Sequence, residues 1–286
     1  MLGTIIGDMV GSLYEAKKPM TKDFPIIDPA MRMTDDSYMT MAVAEALMGR
    51  LPVELNATWL CFFQDDVAKR FVSYWQKDPY AGYGKMFWQW CMRTVKEGKR
   101  QPGYHSFGNG AAMRIAPVAY AAKNEEELKV VSRIVTEITH NHPEAIKGAE
   151  AVALCVYLAL HGASKEEIRK RIVEDYYPEI EHFDFADLIE HYSFHATCQD
   201  SVPQAIYCFL ISTDLEDTIR NCVAIGGDTD TVAAMAGGIA EAYYQKDSLS
   251  KFEEDFLYWK IDKETEKLID DFYRKVGSKK RLSNLS

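Results

Sequence analysis

The chain has 286 residues, 33 Lys plus Arg against 43 Asp plus Glu, and a formal charge of −10. Its 47% hydrophobic and 12% aromatic content excludes a disordered or low-complexity chain, and the acidic excess argues against a polyanion-binding surface as its main business. The longest apolar run, Ala151 to Leu160, falls short of the roughly 18–20 residues that a membrane-spanning helix needs.

In chain order, the first segment has no basic start and carries Asp8 among apolar residues, which argues against a secretory leader. Gly3, Gly7 and Gly11 lie four apart and share one face if the segment is helical. Glycine costs a helix about 1 kcal/mol against alanine, so three of them predict the close approach of another helix. The segment ends at Tyr14 and Glu15. Glu15 reads either as a solvated helix end or, in a cleft, as a general acid/base or a metal-site carboxylate. A loop is expected over 16–33. Thr34-Asp35-Asp36-Ser37 then precede an apolar-periodic stretch, Met39 to Leu47. They make a helix cap with an acidic first turn, or a set of hard oxygen donors for Mg²⁺ or Mn²⁺.

A second loop is expected over 99–111. Its end, Ser106-Phe107-Gly108-Asn109-Gly110-Ala111-Ala112-Met113-Arg114, suits a backbone cradle for phosphate but lacks the Lys and Ser/Thr of a P-loop. Acidic residues 125–127 open a helix carrying Leu128, Val131, Ile134, Val135 and Ile138 at helical spacing. Thr139-His140-Asn141-His142-Pro143-Glu144 invites a zinc reading through its two histidines. A loop and helix cap is the alternative, with His140 in substrate contact or behind the ligands. The helix from Pro143 ends near Gly162, and Ser164 with Glu167 forms a capping box. A third loop is expected over 176–203.

Gly226-Gly227-Asp228-Thr229-Asp230-Thr231 is a second glycine turn that delivers two carboxylates and hydroxyls to a helix start. Two carboxylate pairs that meet in the fold repel unless a cation lies between them. Four carboxylates neutralise two divalent ions, the composition of a two-metal site with ions roughly 3.5–4 Å apart. No alternation predicts a sheet and no linker splits the chain. The expectation is one all-α domain over 1–276, with a frayed basic tail over 277–286 that includes Lys279, Lys280 and Arg281. The six cysteines form no Cys-x-x-Cys pair and read as reduced core residues of a cytoplasmic protein.

Five stretches together resemble the ADP-ribosylglycohydrolase family: Gly7-Asp8-x-x-Gly11-x-x-x-Glu15, Thr34-Asp35-Asp36-Ser37, Gly108-Asn109-Gly110-x-Ala112-Met113-Arg114, Thr139-His140-x-His142-Pro143-Glu144 and Gly226-Gly227-Asp228-Thr229-Asp230-Thr231. The resemblance implies a compact orthogonal bundle of helices with a binuclear Mg²⁺ or Mn²⁺ centre in a cleft. It places the metal ligands on Thr34, Asp35, Asp36, Asp228, Asp230 and Thr231. ADP-ribose would contact Ser106, Phe107, Gly108, Asn109, Gly110 and His140, and catalysis would rest on Glu15, Asp36 and Asp230. Ser37, Ala111 and Phe107 depart from frequent threonine, serine or glycine, and tyrosine. The implied reaction is metal-dependent hydrolysis of an ADP-ribosylated protein or small ADP-ribosyl compound, with an arginine or guanidine linkage favoured and serine as the alternative. Competing readings are a non-catalytic ADP-ribose-binding protein on the same fold, an all-α metal phosphohydrolase using His140 and His142, and an acidic scaffold. A monomer is the default, with nucleic acid and membrane not expected as partners.

Overall fold

A computed structural model describes residues 1–15, 18–244 and 249–278. Fourteen α-helices fill the described residues: α1 (Leu2–Gly11), α2 (Asp35–Met48), α3 (Ala57–Lys77), α4 (Lys85–Glu97), α5 (Ala116–Ala121), α6 (Glu125–Glu137), α7 (Pro143–Leu160), α8 (Lys165–Asp175), α9 (Phe185–His191), α10 (Cys198–Leu210), α11 (Leu215–Ile225), α12 (Thr229–Tyr243), α13 (Lys251–Trp259) and α14 (Lys263–Lys275). No strand occurs among them. A single antiparallel bridge joins Gly108 and Thr197. No helix among the described residues is long and apolar enough to cross a membrane.

Side-chain caps start most of the surface helices. Asn124 accepts from Glu127 N at the head of α6, and Ser164 with Glu167 forms the expected capping box on α8. Gly162 adopts φ 82° just past α7, as a helix stop requires. The residues expected as a loop over 176–203 contain a 3₁₀ turn at Pro178–His182, all of α9 and the start of α10. Asp184 and Thr197 cap these helices through backbone N–H groups at 187 and 200, short-range signals that lie beneath the aromatic and acidic composition of the segment. Five cysteines are buried, but Cys61 is exposed, because it lies on the outer face of the amphipathic α3. The expected tail residues Lys279, Lys280 and Arg281 lie outside the described residues.

The pair that positions the site is α1 against α12. Both are buried along nearly their whole length. A Cβ on Gly3, Gly7 or Gly11 would stand 2.3, 2.1 or 2.3 Å from the carbonyl oxygens of Gly237, Ala233 and Thr229. The backbones therefore touch, as the glycine spacing predicted, and Thr229 Oγ1 donates to Gly11 O at 2.7 Å. Around them α2, α5, α7, α10 and α11 complete one apolar core.

Candidate active site

Two helix starts face each other across a cleft of about 440 Å³. On one side Thr34 caps α2, accepting from Asp36 N, and Asp35 and Asp36 occupy the first turn. On the other, Gly226 and Gly227 take positive φ (77° and 81°), conformations that favour glycine, and set Asp228 at the head of α12 with Asp230 and Thr231 in its first turn. The cleft wall also includes Glu15, Arg32, Tyr104, Ser106, Gly108 and His140.

The close α1–α12 packing brings in Asp8, a residue of the N-terminal motif not singled out as part of the site. Its fully buried carboxylate accepts from Thr34 N at 2.8 Å, Thr34 Oγ1 at 2.6 Å and Ser37 N at 3.1 Å, and from Ser37 Oγ. Asp8 thus ties α1 to the start of α2. The signal for it was an aspartate inside an apolar, glycine-spaced helix, which needs a polar partner in the core.

Oxygens of Asp8, Asp36 and Asp230 lie within 4.8 Å of one another, and so do oxygens of Glu15, Asp228 and Asp230. Asp230 joins both groups. Thr34 Oγ1 and Thr231 Oγ1 reach Asp36 Oδ2 at 3.2 and 3.4 Å. Asp35 belongs to neither group. Its carboxyl lies at the cleft wall against Gly82, where a Cβ would meet Asp35 Oδ1 at 2.9 Å.

Burial first, then the charges of Asp230, Asp8, Asp35 and Asp228, push Asp36 well above the usual carboxylate range. Burial, with Asp8 and Asp228, pushes Asp35 up to about 8. Asp230 and Glu15 shift upward for the same two reasons, burial and the charge of Asp228, with Arg32 opposing at Glu15. Among the described residues no Lys or Arg nitrogen comes within 4.0 Å of these carboxylates. Asp36 Oδ1 is buried with no hydrogen-bond donor. A buried acceptor without a donor, among like charges, is the condition that a bound cation relieves. The donors are all oxygens, so they fit Mg²⁺ or Mn²⁺, and neither carboxylate group contains a histidine or cysteine.

The glycine loop is held by a partner far away in sequence. Asn109 N donates to Ala196 O at 3.1 Å and Cys198 N to Phe107 O at 3.0 Å. Asn109 Nδ2 donates to Asp228 Oδ2 at 2.7 Å and to Ser201 Oγ at 3.1 Å, linking the loop to the acidic turn. Behind it, Thr139 Oγ1 accepts from Arg114 Nη2 at 2.6 Å and lies 2.8 Å from His140 Nδ1. Burial and the Arg114 charge hold His140 well below its ordinary pKa, so the imidazole is neutral. A Cβ on Gly110 would stand 3.2 Å from His140 Nε2, so the glycine admits the ring edge to the loop. Phe107 and His142 depart from the cleft. Phe107 is half exposed and set edge-on to His142, and His142 Nδ1 caps α7 by accepting from Glu144 N at 3.1 Å. The cap reading of His142 holds.

The family model for ADP-ribosylglycohydrolase matches residues 1–281. The chain belongs to the ADP-ribosylglycohydrolase family. It is 28% identical to human (Homo sapiens) ADP-ribosylhydrolase ARH3 over 320 aligned positions, covering 87% of this chain and 85% of that protein. It is 24% identical to the ADP-ribosyl-[dinitrogen reductase] glycohydrolase of Rhodospirillum rubrum, covering 96% of this chain and 95% of that one. A solved structure described as an ADP-ribosylglycohydrolase-related protein complex shares the fold, with a TM-score of 0.71, 24% identity and 96% and 95% coverage. The all-α architecture is therefore that of an ADP-ribosylglycohydrolase, and its five motif stretches converge on one cleft.

Proposed function

We propose that the protein is a divalent-cation-dependent ADP-ribosylhydrolase that cleaves the bond between C1″ of the terminal ribose and an acceptor. The acceptor favoured is an arginine guanidine, with a serine hydroxyl as the alternative. The observation that carries the reading is the pair of overlapping carboxylate groups at the head of α12, facing the glycine loop across one cleft.

Asp36, Asp228 and Asp230 would hold two Mg²⁺ or Mn²⁺ ions, with Thr34, Thr231 and Asp35 completing the oxygen set. Asp8 orients Thr34 from behind. Bound there, divalent cations supply Lewis acidity and lower the pKa of water. Ser106, Gly108, Asn109 and Gly110 would line the seat of the diphosphate and ribose, with neutral His140 behind them; the Gly108 and Asn109 N–H groups and the Asn109 amide, bonded to Ser106, Ala196, Asp228 and Ser201, hold the loop in place. A neutral imidazole donates a hydrogen bond to an anionic ligand without adding a charge to be desolvated.

The net reaction breaks the C1″–acceptor bond, forms a C1″–OH bond and returns a proton to the acceptor. Glu15 is the exposed carboxyl at the cleft edge, and burial on one side and Asp228 raise its pKa. A carboxyl with a raised pKa holds a proton more readily than an ordinary glutamate, and from the exposed cleft edge Glu15 is suited to carry the proton between water and the leaving acceptor. Asp36 or Asp230 is the other acceptor for the proton of water.

The test is ADP-ribose release from an arginine-ADP-ribosylated and a serine-ADP-ribosylated protein, each with Mg²⁺ and with EDTA. Metal-dependent release from either establishes the activity and names the linkage. No release from both, with ADP-ribose still bound in calorimetry, transfers the assignment to a binding protein.

A further inference from the structure

An unneutralised basic and apolar surface begins at the cleft rim. On α4, Phe87, Trp90 and Cys91 face the core. An adjoining outer face exposes Trp88, Met92 and Val95, spaced i, i+4 and i+7, at 38%, 44% and 47%. Residues 85–100 hold five cations and one carboxylate in a chain of net charge −10. Arg100 pairs with Asp65 at 3.0 Å. Lys85, Arg93, Lys96 and Lys99, with Lys69 on the adjoining α3, have no carboxylate within 4.0 Å among the described residues. Three exposed cations of α14 differ: Lys263, Lys267 and Arg274 are each paired with an acid three or four residues away. Between α3 and α4 runs a groove of about 560 Å³, lined by Lys69, Val72, Gln76, Val95, Lys99 and Arg100 among others.

The first turn of α4 lines the cleft through Lys85 and Met86, and its last turn lines the groove through Val95. Ten residues of helix separate the two ends, about 15 Å, the span of four or five extended residues. We propose that the outer face of α4 and the α3–α4 groove dock an acidic, partly apolar polypeptide flank of the ADP-ribosylated acceptor. Apolar contact at Trp88, Met92 and Val95 supplies affinity, and the unpaired cations select acidic sequence and speed encounter. The inference rests on the hydrolase reading for its direction, since the surface continues the rim of that cleft.

The test uses the full chain and a fluorescein-labelled 15-residue peptide of Asp, Glu, Leu and Phe, with a Lys-for-acid control. Anisotropy should detect the acidic peptide and not the control, with affinity falling as salt rises. Arg93→Glu/Lys96→Glu/Lys99→Glu should weaken binding about tenfold or more at an unchanged melting temperature. Met92→Ala, which leaves every charge in place, should weaken it severalfold. With an acidic ADP-ribosylated peptide as substrate, the triple variant should raise KM and leave kcat, and ADP-ribosyl-arginine should be hydrolysed as by the wild type. Equal peptide binding by wild type and triple variant overturns the proposal. So does binding of phosphatidylserine vesicles with no binding of the acidic peptide. No hydrolysis of ADP-ribosyl-arginine or ADP-ribosyl-serine by the wild type defeats the hydrolase reading instead, and the anisotropy result still decides the docking surface.

Discussion

Asn109 Nδ2 donates a hydrogen bond of 2.7 Å to Asp228 Oδ2, across 119 positions of sequence. One amide therefore sets the distance between the glycine loop and the acidic turn. Asp228 also brings a carboxylate oxygen within 4.8 Å of oxygens of Glu15 and Asp230. Asn109→Ala should lower cation affinity by about 10–100-fold, the usual effect of losing a partner that orients a ligand. Asn109→Asp should be worse, because it adds a like charge. Mg²⁺ titration by calorimetry separates these outcomes, and equal affinity in all three proteins removes the amide from the site.

Asp36→Asn and Asp230→Asn each remove a charge from the carboxylate groups without changing side-chain volume. Metal-dependent release of ADP-ribose should fall at least about 10²-fold in each variant. In EDTA the variants should melt at or above the wild-type temperature, because a buried like-charge repulsion is gone. Full turnover in both would remove the two residues from the reaction.

The raised carboxyls make a pH prediction for the cation-free protein. A group with a raised folded pKa holds a proton in the native state that the unfolded chain has released. Its stability contribution is full below the ordinary 3.8 and is lost as pH rises toward about 8, the value reached by Asp35. In EDTA, urea unfolding should therefore show stability falling from pH 5 to pH 8. Saturating Mg²⁺ should remove or reverse that slope. His140 acts in the opposite direction, since its lowered pKa costs stability only as pH falls below 6.5. A flat profile in EDTA contradicts the clustering.

Gly7→Ala places a methyl 2.1 Å from Ala233 O, against backbone that cannot rotate away. It should destabilise the protein by about 3 kcal/mol, the upper range for overpacking. It should also weaken Mg²⁺ binding, because separating α1 from α12 moves Asp8 from Asp230. Gly49→Ala is the control, with its nearest neighbour at 3.6 Å. Its unfolding midpoint should stay within about 1 kcal/mol of wild type.

Helices were legible wherever the code is local. Glu125–Glu137, Pro143–Leu160 and the Ser164–Glu167 capping box follow from caps and apolar spacing within a dozen residues. The glycine triplet announced a close helix, and the two acidic turns announced a charge that a cation would balance. The partner of that triplet, α12, was not readable, because helical periodicity states which face is buried and not what covers it.

The 176–203 segment was misread as loop because its caps are single side chains amid aromatic and acidic residues. Its contact with the glycine loop, through backbone bonds at Ala196 and Cys198 and the Cys198 thiol on Gly108 O, joins residues about 90 positions apart that no local spacing announces. Asp8 entered the site, and Phe107 turned toward His142 rather than the cleft, for the same reason. Helical periodicity and motif determined the all-α class and the family. Only the tertiary structure decided which carboxylates meet, since the α1–α12 distance is set by backbone contact between residues more than 200 positions apart.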